Sequence, residues 1–166
     1  MNKPTWTKVV RITHWLVAAG VVFNLLNETG YTHRMIGYVC LFLIVLRIHH
    51  GVSQKAPDNS RLYLPRLRQV KQHISAVLSG QVMQHRGHNP LGMLAVYCIW
   101  GAIALLAFTG WLSRTDAYWG EDGPVLVHTA LSNLLLGLIV IHVLAVLLMS
   151  RLERRNLIKA MLVSEE

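Results

Sequence analysis

Apolar residues in this chain gather into long continuous runs instead of recurring at spaced intervals. Four runs stand out, at about 9–27, 32–50, 91–112 and 125–149, each long enough to cross about 30 Å of hydrocarbon as a helix. They predict an all-α integral membrane fold, an up-down four-helix bundle formed by one domain over residues 1–166, with no internal repeat. The second run reaches spanning length only by taking in His33 and Arg34 at one end and Arg47 at the other, so those polar residues belong to the span. A different pattern fills the segment 51–89. SQKAPDNS reads as loop, whereas from Pro65 onward Leu67, Val70, Ile74, Val77 and Leu78 recur at helical intervals while Arg66, Arg68, Lys71 and Gln72 face elsewhere. This predicts an amphipathic helix on the membrane surface, ended by Gly80, with Gly87 and Pro90 marking the start of the third span.

Composition agrees with a membrane class: of 166 residues, 53% are hydrophobic and 14% charged. The formal net charge of +8 raises the possibility of nucleic acid, and the placement of the charges removes it. Every lysine and arginine except Arg34 and Arg114 lies before or in the first turn of the first span, at or after the end of the second, or after the fourth. By the positive-inside rule both termini and the segment 51–89 are cytoplasmic, in a multi-pass protein of the bacterial inner membrane. The opposite connections hold Arg34 and Arg114 beside Glu28, Asp116, Glu121 and Asp122. The basic balance therefore reports orientation and contact with anionic lipid. A cleaved signal peptide over residues 1–27 is disfavoured, because that run carries His14 and Trp15 and lacks a small-x-small cleavage site. Cys40 and Cys98 lie mid-span and no C-x-x-C-H occurs, so covalent c-type haem attachment is excluded.

The candidate chemistry lies in histidines. His128 and His142 stand fourteen residues apart in the fourth run with nothing charged between them. Fourteen residues are almost four helical turns, so both imidazoles leave one helix face, roughly 21 Å apart along the axis. Ionisable groups in hydrocarbon are costly and usually functional, and a neutral imidazole binds metal without a buried charge. By depth His14 falls level with His142 near the cytoplasmic side, and His33 falls level with His128 near the other. Two imidazoles from facing helices with a flat macrocycle between them are what a bis-histidine b-type haem requires, so these two pairs predict two b-type haems, one above the other. His49 and His50 could serve only the inner level and read as interfacial; His73 and His85 read as water-facing.

Around these pairs, Gly20, Gly37, Gly101 and Gly137 would let a porphyrin approach the backbone, or else serve small-residue helix packing. Arg11, Arg34 and Arg47 need anions, and haem propionates or lipid phosphates would supply them. His88, Asn89 and Gly92 form a polar mouth on the third span, the one run without a ligand candidate. They could hydrogen-bond a quinone, although Asn-Pro is also an ordinary helix start.

Five segments then carry a resemblance that covers nearly the whole chain: RITHWLVAA around His14, HRMIGYVCLFLIVLRI from His33, GHNPLG with TGW at 109–111, VHTALSNLLLGLIVIHV from His128 to His142, and RNLIKAM near the C-terminus. Together they resemble the bacterial cytochrome b561 family, which includes the b-type cytochrome subunits of nickel-iron hydrogenases. The resemblance implies two b haems ligated by His14 with His142 and by His33 with His128, and electron exchange with membrane quinone near the inner haem. It also implies an external redox partner, a periplasmic electron carrier or oxidoreductase. The short outer segment 113–124 suits a small carrier such as a periplasmic cytochrome c. The expected function is transmembrane electron transfer between the quinone pool and that partner. Two alternatives stand beside it: a superoxide oxidase that delivers electrons to quinone, and a haem-free transporter or assembly subunit that uses histidine as a relay.

Overall fold

The computed structural model describes residues 6–53, 56–80 and 89–162. These residues form six α-helices and no strand: α1 Lys8–Leu26, α2 Gly30–Val52, α3 Leu67–Leu78, α4 Pro90–Leu112, α5 Asp122–Leu152 and α6 Leu157–Leu162. A 3₁₀ turn at Asp116–Tyr118 precedes α5. Helices α1, α2, α4 and α5 are each long and apolar enough to cross a membrane, and the chain is a multi-pass membrane protein.

Helix ends follow local chemistry. Thr7 caps α1, its hydroxyl accepting from the Val10 amide, and Gly30 at φ +101° supplies the left-handed turn into α2. Asn89 caps α4, its Oδ1 accepting from the Gly92 amide at 2.6 Å, with Pro90 at the first position. Arg154, at φ 49°, turns the chain sharply after α5, and the Ser150 hydroxyl accepts from the Leu157 amide to start α6.

Packing runs in the order α1 on α2, α2 on α4 and α4 on α5. Val21, Cys40, Ile44, Ala102, Ile103 and Leu135 form a core shared by the four long helices at mid-depth. Many large apolar side chains, such as Leu26, Phe42, Leu126 and Ile141, stay exposed, as lipid-facing residues do. Helices α1 and α5 make no extended backbone contact among the described residues and meet through side chains. One end of the bundle, here the basic end, carries Lys8, Arg47, Arg151 and α3. The opposite end, the far end, carries Arg34, Asp116, Glu121 and Asp122.

Helix α3 packs on α4. Val70, His73 and Val77 lie on its covered side, and Leu67, Ile74 and Leu78 form an exposed apolar stripe beside Lys71. His73 is buried, which corrects its expected exposure to water: on α3 it lies one turn from Val70 and Val77 and shares their covered face. The C-terminal helix α6 had no counterpart among the elements expected from the apolar runs. It folds back under α1, where Trp15 Nε1 donates to the Met161 carbonyl at 3.0 Å and Arg11 Nη1 donates to the Leu162 carbonyl at 3.3 Å. These bonds satisfy carbonyls that a helix C-terminus leaves open.

Candidate functional site

The bundle brings the four span histidines together in two pairs. The ring centroids of His14 on α1 and His142 on α5 are 6.5 Å apart, and those of His33 on α2 and His128 on α5 are 6.1 Å apart. A metal–imidazole bond of about 2.0 Å, plus about 1.1 Å from ring nitrogen to ring centre, places two collinear imidazole ligands about 6.2 Å apart. Both pairs match that separation. They do so although α1 and α5 are not in close backbone contact, so each pair bridges an interhelical gap.

At the far end the rings are also oriented. His33 Nδ1 lies 2.7 Å from the Asn27 carbonyl oxygen. A carbonyl can only accept, so Nδ1–H donates and the Nε2 lone pair is left for a metal. His128 Nδ1 lies 3.0 Å from Thr109 Oγ1. Asn24 Nδ2 donates to the His33 carbonyl at 3.0 Å, while Asn24 Oδ1 is buried without a partner. Asn24, His33, Arg34, Gly37, Gly110 and His128 line one cavity together with apolar side chains that include Val21, Leu106 and Leu135. An apolar cavity with two facing imidazoles and an arginine at its edge fits a haem, which His33 and His128 would hold.

Arg34 has an unpartnered buried Nε and its guanidinium lies over the Tyr31 ring at 5.8 Å. It also lines a second recess with Met35, Tyr38, Trp111, Arg114 and Thr115. Arg11 stands one turn before His14, engaged with α6 through Nη1 while its Nε is buried without a partner. Arg47 is turned elsewhere: it is buried and its Nη2 donates to the Ser60 carbonyl at 2.9 Å. With the Thr7–Ser60 hydroxyl contact at 2.9 Å and the Leu62 amide donating to the Gly51 carbonyl at 2.9 Å, Arg47 pins the segment after α2 beneath α1. Tyr97 Oη donates to the Tyr63 carbonyl in the same region, and burial with Tyr97 nearby pushes the Tyr63 phenol above its ordinary range.

The glycines divide. A Cβ on Gly20 would stand 2.5 Å from Cys40 Sγ and 3.2 Å from Ile36 Cγ2, so this glycine lets α1 and α2 pack closely. Gly37 lines the far-end cavity, and Gly101 and Gly137 face open space. Among the quinone candidates, Asn89 and Gly92 are joined by the α4 cap, and His88 lies outside the described residues, as does His85. His49 is exposed, while His50 has a buried Nε2 without a partner.

Thr109 and Gly110 carry no role in the sequence reading beyond their place in TGW. Yet Thr109 is the only serine or threonine within α4, which sets its position apart from the apolar residues around it.

The class is a membrane helix bundle in which imidazoles of different helices face one another in two pairs. The family model for prokaryotic cytochrome b561 matches residues 5–163, and the chain belongs to that family. Membership makes it a membrane b-type cytochrome of electron transfer. No similar chain was found in the comparisons with curated proteins and with solved structures.

Proposed function

We propose that the chain is a two-haem b-type cytochrome that carries electrons between membrane quinone at the basic end, taken as cytoplasmic, and a redox partner at the far end. The observation that carries this reading is the pair of imidazole couples at bis-ligand separation, fourteen residues apart on α5. His14 with His142 would hold one haem and His33 with His128 the other, while Arg11 and Arg34 stand where haem carboxylates need cations. Haem, when bound, supplies the one-electron chemistry, and the chain sets its position, its solvent access and its potential. Asn89 offers its amide nitrogen at the basic end for a quinone oxygen, since the cap uses only Oδ1 among the described residues.

The test is a reduced-minus-oxidised spectrum with a haem count. The wild-type chain is expected to bind two haems, and His14→Ala, His33→Ala, His128→Ala and His142→Ala to lose one each. Absence of a b-type α band, or an unchanged count in all four variants, refutes the reading. A second reading, oxidation of superoxide at the far end with electrons passed to quinone, draws on the recess shared by Arg34 and Arg114, which would attract an anion. Stopped-flow reduction of a quinone analogue, with superoxide compared against reduced cytochrome c as donor, separates the two.

A further inference from the structure

The two histidine pairs are built differently, and the difference lies on α4, the spanning helix that carries no ligand candidate. Thr109 Oγ1 is 2.9 Å from the Leu105 carbonyl oxygen, 3.2 Å from that of Leu106 and 3.0 Å from His128 Nδ1. The hydroxyl has one proton, and the carbonyls can only accept it. With that proton on the Leu105 or Leu106 carbonyl, Thr109 accepts from His128, whose Nδ1–H then donates and whose Nε2 is left bare. The next residue makes room for this arrangement. A Cβ on Gly110 would stand 3.2 Å from His128 Cε1 and 3.5 Å from Nδ1. Across the cavity, the Asn27 carbonyl holds His33 in the same tautomer.

At the basic end neither ring is held this way. His14 Nδ1 is buried without a partner, and no hydrogen bond reaches the His14 or His142 ring among the described residues. A metal-bound imidazole that donates a hydrogen bond from its other nitrogen gives more electron density to the metal, which favours the oxidised ion. Each pair has one arginine within a turn of a ligand candidate, Arg11 for His14 and Arg34 for His33, and ring tethering is found at the far end alone among the described residues.

We propose that Thr109 is a positioning residue that fixes the tautomer and plane of His128, and that this tethering makes the His33–His128 centre the lower-potential of the two. The inference rests on the two-haem reading above. It is tested by redox titration of the purified protein followed by optical and EPR spectra, in wild type, Thr109→Val and Thr109→Ser, with His33→Ala identifying the far-end signal as the one it loses. In wild type the far-end signal is expected to titrate at the lower potential. Thr109→Val is expected to raise that potential by about a tenfold shift in the reduction equilibrium, about 59 mV for a one-electron couple, and to change the EPR g values of that centre alone. Thr109→Ser keeps a hydroxyl at the same place and is expected to return both readouts to wild type. A far-end signal at the higher potential, a Thr109→Val spectrum and potential equal to wild type, or a Thr109→Ser protein that behaves like Thr109→Val each overturn the proposal. If Thr109→Val does not retain the far-end haem, retention by Thr109→Ser at the wild-type potential supports it and loss in both overturns it. A wild-type chain with fewer than two haems fails the underlying reading instead, and that failure is visible in the haem count before any variant is compared.

Discussion

Glycine shows how far a single residue can be read from sequence. A small residue in a span serves either a helix neighbour or a flat ligand, and composition cannot separate the two. Packing does so for Gly20, where an added methyl meets Cys40 and Ile36. Gly20→Ala is expected to cost about 1–3 kcal/mol, the range for overpacking a filled core, with or without haem, as read by thermal unfolding of both forms. Gly137 faces open space, so Gly137→Ala is expected to change unfolding of the haem-free chain by less than about 0.5 kcal/mol. A lower haem content in that variant at unchanged stability would place a macrocycle against Gly137. The pairing of the four span histidines was legible because 3.6 residues per turn and span depth match them without further information. Their tethers were not. Asn27 holds His33 through a backbone carbonyl, which every residue possesses, and Thr109 reaches His128 from a helix nineteen residues away in sequence.

At the scale of elements, the four spans were legible because continuous apolar runs have one physical use at this length. Their observed limits differ from the expected ones by at most three residues, as helix ends set by caps and turns do. Helix α6 was not legible, since its six residues are too short for a periodic signal and its stability comes from elsewhere in the chain. Trp15 and Arg11 supply it by closing the α6 carbonyls, which ties the end of α5 to α1 beneath the His14–His142 pair. Trp15→Phe keeps the ring and removes the donor. It is expected to cost about 0.5–1.5 kcal/mol and to speed tryptic cleavage at Arg154, Arg155 and Lys159, measured as cleavage rates in nanodiscs. Equal rates in wild type and variant would mean that α6 is held by other contacts. Helix α3 makes a separate expectation: probes at Leu67, Ile74 and Leu78 should be quenched by lipid-chain quenchers, and probes at Arg68 and Gln72 by aqueous ones.

For the whole molecule, the decisive arrangement is the division of labour among helices. Helix α5 contributes one imidazole to each pair, α1 completes the pair at the basic end and α2 the pair at the far end. The two levels on α5 lie roughly 21 Å apart, most of the way across about 30 Å of hydrocarbon. On the proposed two-haem reading a path that long uses both centres, so losing one should affect the two faces of the membrane unequally. In proteoliposomes, an impermeant reductant on the far-end face should drive quinone reduction in wild type, and His33→Ala should bring the rate down to that of empty vesicles. The same variant should still have its remaining haem reduced by quinol, because His14 and His142 are untouched. His14→Ala should show the reverse: reduction of the far-end haem by the impermeant reductant persists while reduction by quinol is lost. A single pattern shared by both variants would mean that quinone and the external reductant meet the same centre, and the two levels on α5 would then not be successive stations of one path.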